Sequence, residues 1–103
     1  MSSQGRIKLD THDYGKVEVE VIVITPGLAI HHSINTDATF SRSSWTVTHM
    51  RSGRALAYRR TKEEAASVAQ ELAELGNWDS PRSRIPKWLK ARGWAVIMSG
   101  KPL

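Results

Sequence analysis

Between Lys16 and Ile24 the chain alternates strictly, with Val17, Val19, Val21 and Val23 on one side and Glu18, Glu20, Ile22 and Ile24 on the other. A period of two belongs to a β-strand. Thr25-Pro26-Gly27-Leu28 follows, with Pro at the second position and Gly at the third, where a type II turn requires positive φ. The pattern predicts a hairpin. With Thr25 opposite Leu28, Val23 meets Ile30, Val21 meets His32 and Val19 meets Ile34, which gathers most of the apolar side chains onto one face. Ile22, Ile24, Ala29 and His31 then fall on the other face, and that apolar remainder needs a cover: the C-terminal segment, a second copy of the chain, or a host protein.

A second hairpin is predicted from Trp45-Thr46-Val47-Thr48-His49, the turn Met50 to Gly53, and Arg54-Ala55-Leu56-Ala57-Tyr58. Pairing His49 with Arg54 sets Val47 against Leu56 and Trp45 against Tyr58, four large side chains on a core face. The reverse face then carries Arg42, Ser44, Thr46, Thr48, Ala55, Ala57 and Arg59, small, hydroxylated or cationic. Residues 35–44 read as a loop.

Thr61-Lys62-Glu63-Glu64 has the spacing of a capping box and starts a helix. Ala65, Val68, Ala69, Leu72 and Leu75 form its apolar stripe, and Gly76 is placed to end it in a left-handed cap. Trp78 lies in the connection that follows, positioned to close one end of the core. Pro86 to Arg92 predicts a short helix stopped by Gly93, with Trp94 to Met98 as a final strand. A basic tail that orders only on a partner is the competing reading of this block.

The 103 residues suit one domain, with a core over residues 16–80 and a basic segment over 81–103. The net charge of +5 is unevenly spread. Subtracting acidic from basic residues gives −2 over 1–40, +5 over 41–60, −4 over 61–80 and +6 over 81–103. The helix is therefore the acidic, supporting element, and any contact with phosphate falls to the second hairpin and the C-terminal segment. Candidate nucleic-acid-binding residues are Arg42, Thr46, Thr48, Arg51, Arg54, Arg59, Arg60, Arg82, Arg84, Lys87, Lys90 and Arg92. A solvated, solubilising surface is the plain alternative for such runs. Trp88 and Trp94, set among these cations, have two readings, core packing and base stacking.

Trp45-Thr46-Val47 through Ser52-Gly53-Arg54, and Tyr58-Arg59-Arg60-Thr61-Lys62-Glu63-Glu64-Ala65, resemble the strand, turn, strand and helix of the arm-type DNA-binding domain of tyrosine-type phage integrases. The resemblance spans about residues 42–75, roughly a third of the chain. It implies a sheet that enters the DNA major groove with a helix bracing it from behind, and would put Arg42, Thr46, Thr48, Arg54 and Arg59 on the DNA side. The valine-rich first hairpin and the segment after Gly76 have no counterpart in that family. The whole chain also resembles small orphan proteins of bacteriophages of high-GC hosts.

Several chemistries are excluded or unsupported. With no cysteine, disulfides, thiolate zinc sites, iron–sulfur clusters and a cysteine nucleophile are impossible. His31 and His32, adjacent on a strand, point to opposite faces and cannot easily share a metal, and His12 and His49 stand apart, so no metal or cofactor is expected. No nucleophile elbow, phosphate loop or dinucleotide fingerprint occurs, so the expectation is a non-enzymatic protein. The longest apolar run of the N-terminal half, Val21 to Ile24, falls far short of the roughly 20 residues of a membrane span. The expected setting is the cytoplasm, that of the host if the protein is phage-encoded, with no membrane partner.

The expected fold is α+β: a mainly antiparallel sheet of about four to five strands in two hairpins, one amphipathic helix on one face, and a short C-terminal helix and strand. The expected function is binding of DNA or RNA backbone by the basic hairpin and C-terminal segment, as in a small regulator. The alternative is a protein that modulates or inhibits a host factor. An exposed edge strand would also permit a homodimer.

Overall fold

The computed structural model describes residues 3–11, 15–34, 39–81 and 84–99. Five strands, β1 (Ser3–Thr11), β2 (Gly15–Thr25), β3 (Leu28–Ile34), β4 (Phe40–His49) and β5 (Arg54–Arg59), form one antiparallel sheet in the order β1-β2-β3-β4-β5. Two helices, α1 (Lys62–Leu75) and α2 (Lys87–Ser99), complete the α+β fold. Among the described residues no helix is long and apolar enough to cross a membrane.

Both expected hairpins form, and both are out of step with the register read from sequence. Thr25 pairs with Leu28 as anticipated, but Ile24 is then left without a partner, so Val23 meets Ala29 and Ile22 meets Ile30. In the second hairpin His49 pairs with Arg54 as anticipated and Thr48 with Ala55, but Leu56 is the extra residue. Val47 therefore faces Ala57, and Trp45 faces Arg59. A bulge inserts one residue into one strand, and a shift of one exchanges the two faces for every residue beyond it. Tyr58, assigned to the core from sequence, is 63% exposed, while Ala57, assigned to the open face, is buried.

The sheet consequently has two apolar sides. Leu28, Ile30, Val47 and Ala57 pack against Ala65, Val68, Ala69 and Leu72 of α1 and Leu89 of α2, with Ile22 and Ile24 at the margin. Leu9, Val19, Val21 and Ala29 form a second cluster on the reverse side, joined by Ile7, Val17, Val23 and Met50. The β1–β2 hairpin curls back over that side: beyond Ile22 and Ile30 the pairing of β2 with β3 stops. Its far end reaches the β4–β5 turn, where a Cβ on Gly53 would stand 3.4 Å from Leu9 Cδ2. Of the covers expected for the apolar Ile22, Ile24 and Ala29, the chain supplies its own: Ile22 and Ile24 pack against the cluster that includes α1 and Leu89 of the C-terminal α2, and Ala29 packs under the β1–β2 hairpin.

α1 begins as its capping box requires, the Thr61 hydroxyl accepting the Glu64 N–H at 3.1 Å. Its end differs from expectation, because Gly76 is extended (φ 166°) rather than left-handed. The Trp78 indole supplies part of the cap instead, its Nε1–H donating to the Leu72 carbonyl at 2.7 Å. α2 also departs from the sequence reading: it runs through Gly93 to Ser99, and no strand forms over 94–98. The fifth strand is the N-terminal β1.

Gly93 is a point of contact within a helix. A Cβ there would lie 2.8 Å from Trp78 Cη2 and 3.2 Å from Leu72 Cδ2. Gly27, with φ 94° as the turn requires, likewise meets Trp78, whose backbone carbonyl would be 2.5 Å from a Cβ. Trp78 therefore joins the β2–β3 turn, the end of α1 and the middle of α2.

Candidate nucleic-acid interface

The reverse side of β3 and β4 carries a closed polar layer under the β1–β2 hairpin. Ser33 Oγ lies 2.7 Å from Thr46 Oγ1 and 2.8 Å from Ser44 Oγ. His31 Nδ1–H donates to its neighbour's carbonyl oxygen, on His32, at 2.8 Å, since a carbonyl only accepts. Nε2 of the neutral ring then accepts the Thr48 hydroxyl at 2.7 Å. Burial pushes the His31 imidazole below its ordinary value, which keeps it in this neutral form. Thr46 and Thr48 are 3% and 1% exposed, so the two hydroxyls assigned to the DNA side from sequence are withdrawn from it.

The cations are sorted by the same architecture. Arg51 is tied to Asp79 Oδ1 at 3.0 Å. Arg59 lies on the helix side and donates to the Tyr58 carbonyl at 2.7 Å and to the Ile97 carbonyl of α2 at 2.9 Å, which corrects its assignment to the open face. Arg54, Arg60, Arg84, Lys87, Lys90 and Arg92 are exposed. Arg42 is exposed too, but near the start of β4, away from the β4–β5 turn. Arg82 lies outside the described residues.

Between edge strand β5 and α2 runs a groove of about 270 Å³. Leu56, Ile85, Gly93 and Ile97 contribute apolar walls, Trp94 borders it while 62% exposed, and Arg54 and Lys90 line it from opposite elements. No carboxylate is among its described lining residues. At one end His49 secures the β4–β5 turn: Nε2–H donates to the Trp78 carbonyl at 2.8 Å, and Nδ1 meets Ser52 Oγ at 2.8 Å. The Ser52 oxygen also accepts the Arg54 N–H at 3.2 Å, which positions Arg54 at the groove.

Lys90, Gly93, Trp94 and Ile97 share one helical face at spacings of three, four and seven, so this wall is written in the sequence once α2 is read as continuous. Taking Gly93 as a stop concealed it.

Where β2 leaves β3, a second cleft of about 410 Å³ opens between Arg6, Glu20, His32 and Trp45. Its electrostatics are mixed. Arg6 holds Glu18 and Glu20, each at 3.2 Å, and its pKa is raised first by the hydrogen bond to Glu18. The exposed His32 ring rests on Trp45 with centroids 4.0 Å apart, its Nδ1–H donating to the Ser41 carbonyl at 2.9 Å.

The fold and groove define a small α+β protein with a cation-flanked apolar slot at one sheet edge. No protein-family model matches the chain, and neither a curated protein nor a solved structure is significantly similar to it.

Proposed function

We propose that the protein is a non-enzymatic nucleic-acid-binding protein of regulatory type that holds the phosphate backbone along the β5–α2 side. One observation carries the reading: the two cationic stretches, separated in sequence by an acidic helix, supply opposite walls of a single groove through Arg54 and Lys90. Arg84, next to the groove-lining Ile85, and Lys87, one turn before Lys90 on α2, are exposed cations beside the groove, and phosphate contacts of this kind release counterions. The DNA-side assignment shifts accordingly, away from Thr46 and Thr48 and toward the sheet edge.

Anisotropy titration against DNA and RNA across a salt series tests this. Affinity is expected to fall steeply with salt, and Arg54→Ala or Lys90→Ala each to reduce the logarithmic salt slope by about one. Absence of binding to any nucleic acid at low salt overturns the reading.

A further inference from the structure

We infer that the β5–α2 groove receives an unpaired base, so that the protein takes single-stranded nucleic acid in preference to duplex; this rests on the nucleic-acid reading above. A duplex keeps its bases stacked and shows only their edges, in grooves that are read by a protruding helix or β-ribbon. Neither broad face of this sheet is free to do that over its central strands. One is covered by α1 and α2, and the other, with Thr46 and Thr48, by the β1–β2 hairpin.

What the molecule offers at its cationic side is concave. An apolar slot between Leu56 and Ile97 accepts the flat body of a base, and Trp94 at its border presents an indole for stacking. Arg54 on one wall and Lys90 on the other flank the slot, where they meet the phosphates on either side of an inserted nucleotide. As an edge strand, β5 pairs with β4 on one side alone, and its outward backbone groups other than the Arg54 N–H and the Tyr58 carbonyl, which bond within the chain, are there to meet a base edge. The two cationic flanks, Arg54 and Lys90, together with the aromatic border favour a base carried on its phosphates as occupant.

Tryptophan quenching and anisotropy with oligonucleotides about 12 nucleotides long, within the usual site size, test the inference. The arms are single-stranded DNA, single-stranded RNA, the corresponding duplexes, an abasic strand of equal length, and an acidic peptide. Single strands are expected to bind roughly tenfold or more tightly than duplex, with quenching. Trp94→Ala should lose about tenfold for single strands and leave duplex and abasic binding unchanged, while Trp94→Phe keeps most of the affinity. Melting temperatures of both variants show whether the fold is intact. Equal affinity for single strand and duplex, with Trp94→Ala silent, overturns the base slot and leaves the phosphate-binding reading standing. No binding to any oligonucleotide overturns both, and binding of the acidic peptide alone, lost in Trp94→Ala, assigns the groove to a protein strand instead.

Discussion

The Trp78 indole lies so close over Gly93 that a methyl group at that position would stand 2.8 Å from Cη2. Two effects of Gly93→Ala therefore oppose each other. Alanine favours the helix by about 1 kcal/mol, whereas forcing a carbon into a filled contact costs typically 1–3 kcal/mol. Trp78 has little room to move, because its Nε1–H holds Leu72 and its carbonyl holds His49. Gly93→Ala should lower the melting temperature, and a rise would mean that α2 is not packed on Trp78 as described.

The polar layer under the β1–β2 hairpin sets a stability effect apart from a binding effect. Thr46→Val and Thr48→Val each remove a buried hydroxyl from a hydrogen bond and should cost about 1 kcal/mol in a denaturant titration. Oligonucleotide affinity should be unchanged in both. A loss of affinity without loss of stability would return these hydroxyls to the binding surface.

Arg54 and Arg59, at opposite ends of the short strand β5, should behave differently. Arg59 joins β5 to the Ile97 carbonyl of α2, so Arg59→Ala should destabilise the fold by about 1 kcal/mol. Arg54 is exposed, and Arg54→Ala should leave the melting temperature unchanged while weakening salt-dependent binding. Equal melting temperatures for the two variants would contradict the contact between β5 and α2.

His31 makes stability depend on mild acid. Its folded pKa is lowered, chiefly by burial, so the unfolded chain takes up the proton more readily than the folded one. The neutral-ring contribution is fully present above about pH 6.5, the ordinary value, and is lost as pH falls through the depressed folded value. Melting temperature measured from pH 7.5 downward should therefore fall more steeply for the natural chain than for His31→Gln. Parallel curves would show that His31 is not the titrating group.

Much of the fold was legible in local patterns. Val17 to Val23 specified a strand, Pro26-Gly27 a turn, and the Thr61 capping box with the Ala65 to Leu72 stripe a helix, because period, capping and turn chemistry are properties of neighbouring residues. The strand β1 was missed from sequence although Arg6-Ile7-Lys8-Leu9-Asp10 alternates with the same period of two; its pattern is short, with two apolar residues against the four valines of β2. Block counting located the cations of the candidate site, but not which of them stay free.

What only the tertiary structure decided turns on single residues. The bulges at Ile24 and Leu56 insert one residue each, and that one residue sends Arg59 to α2, Tyr58 to solvent and Val23 opposite Ala29 instead of Ile30. Gly93 was chemically a helix stop in the sequence and became a contact point because Trp78 leaves no room for a side chain. The sequence by itself determined the two central hairpins, the α1 helix and the amount of charge. The faces, and hence the groove in which Arg54 and Lys90 meet, were decided by packing on both sides of the sheet, which no local pattern encodes.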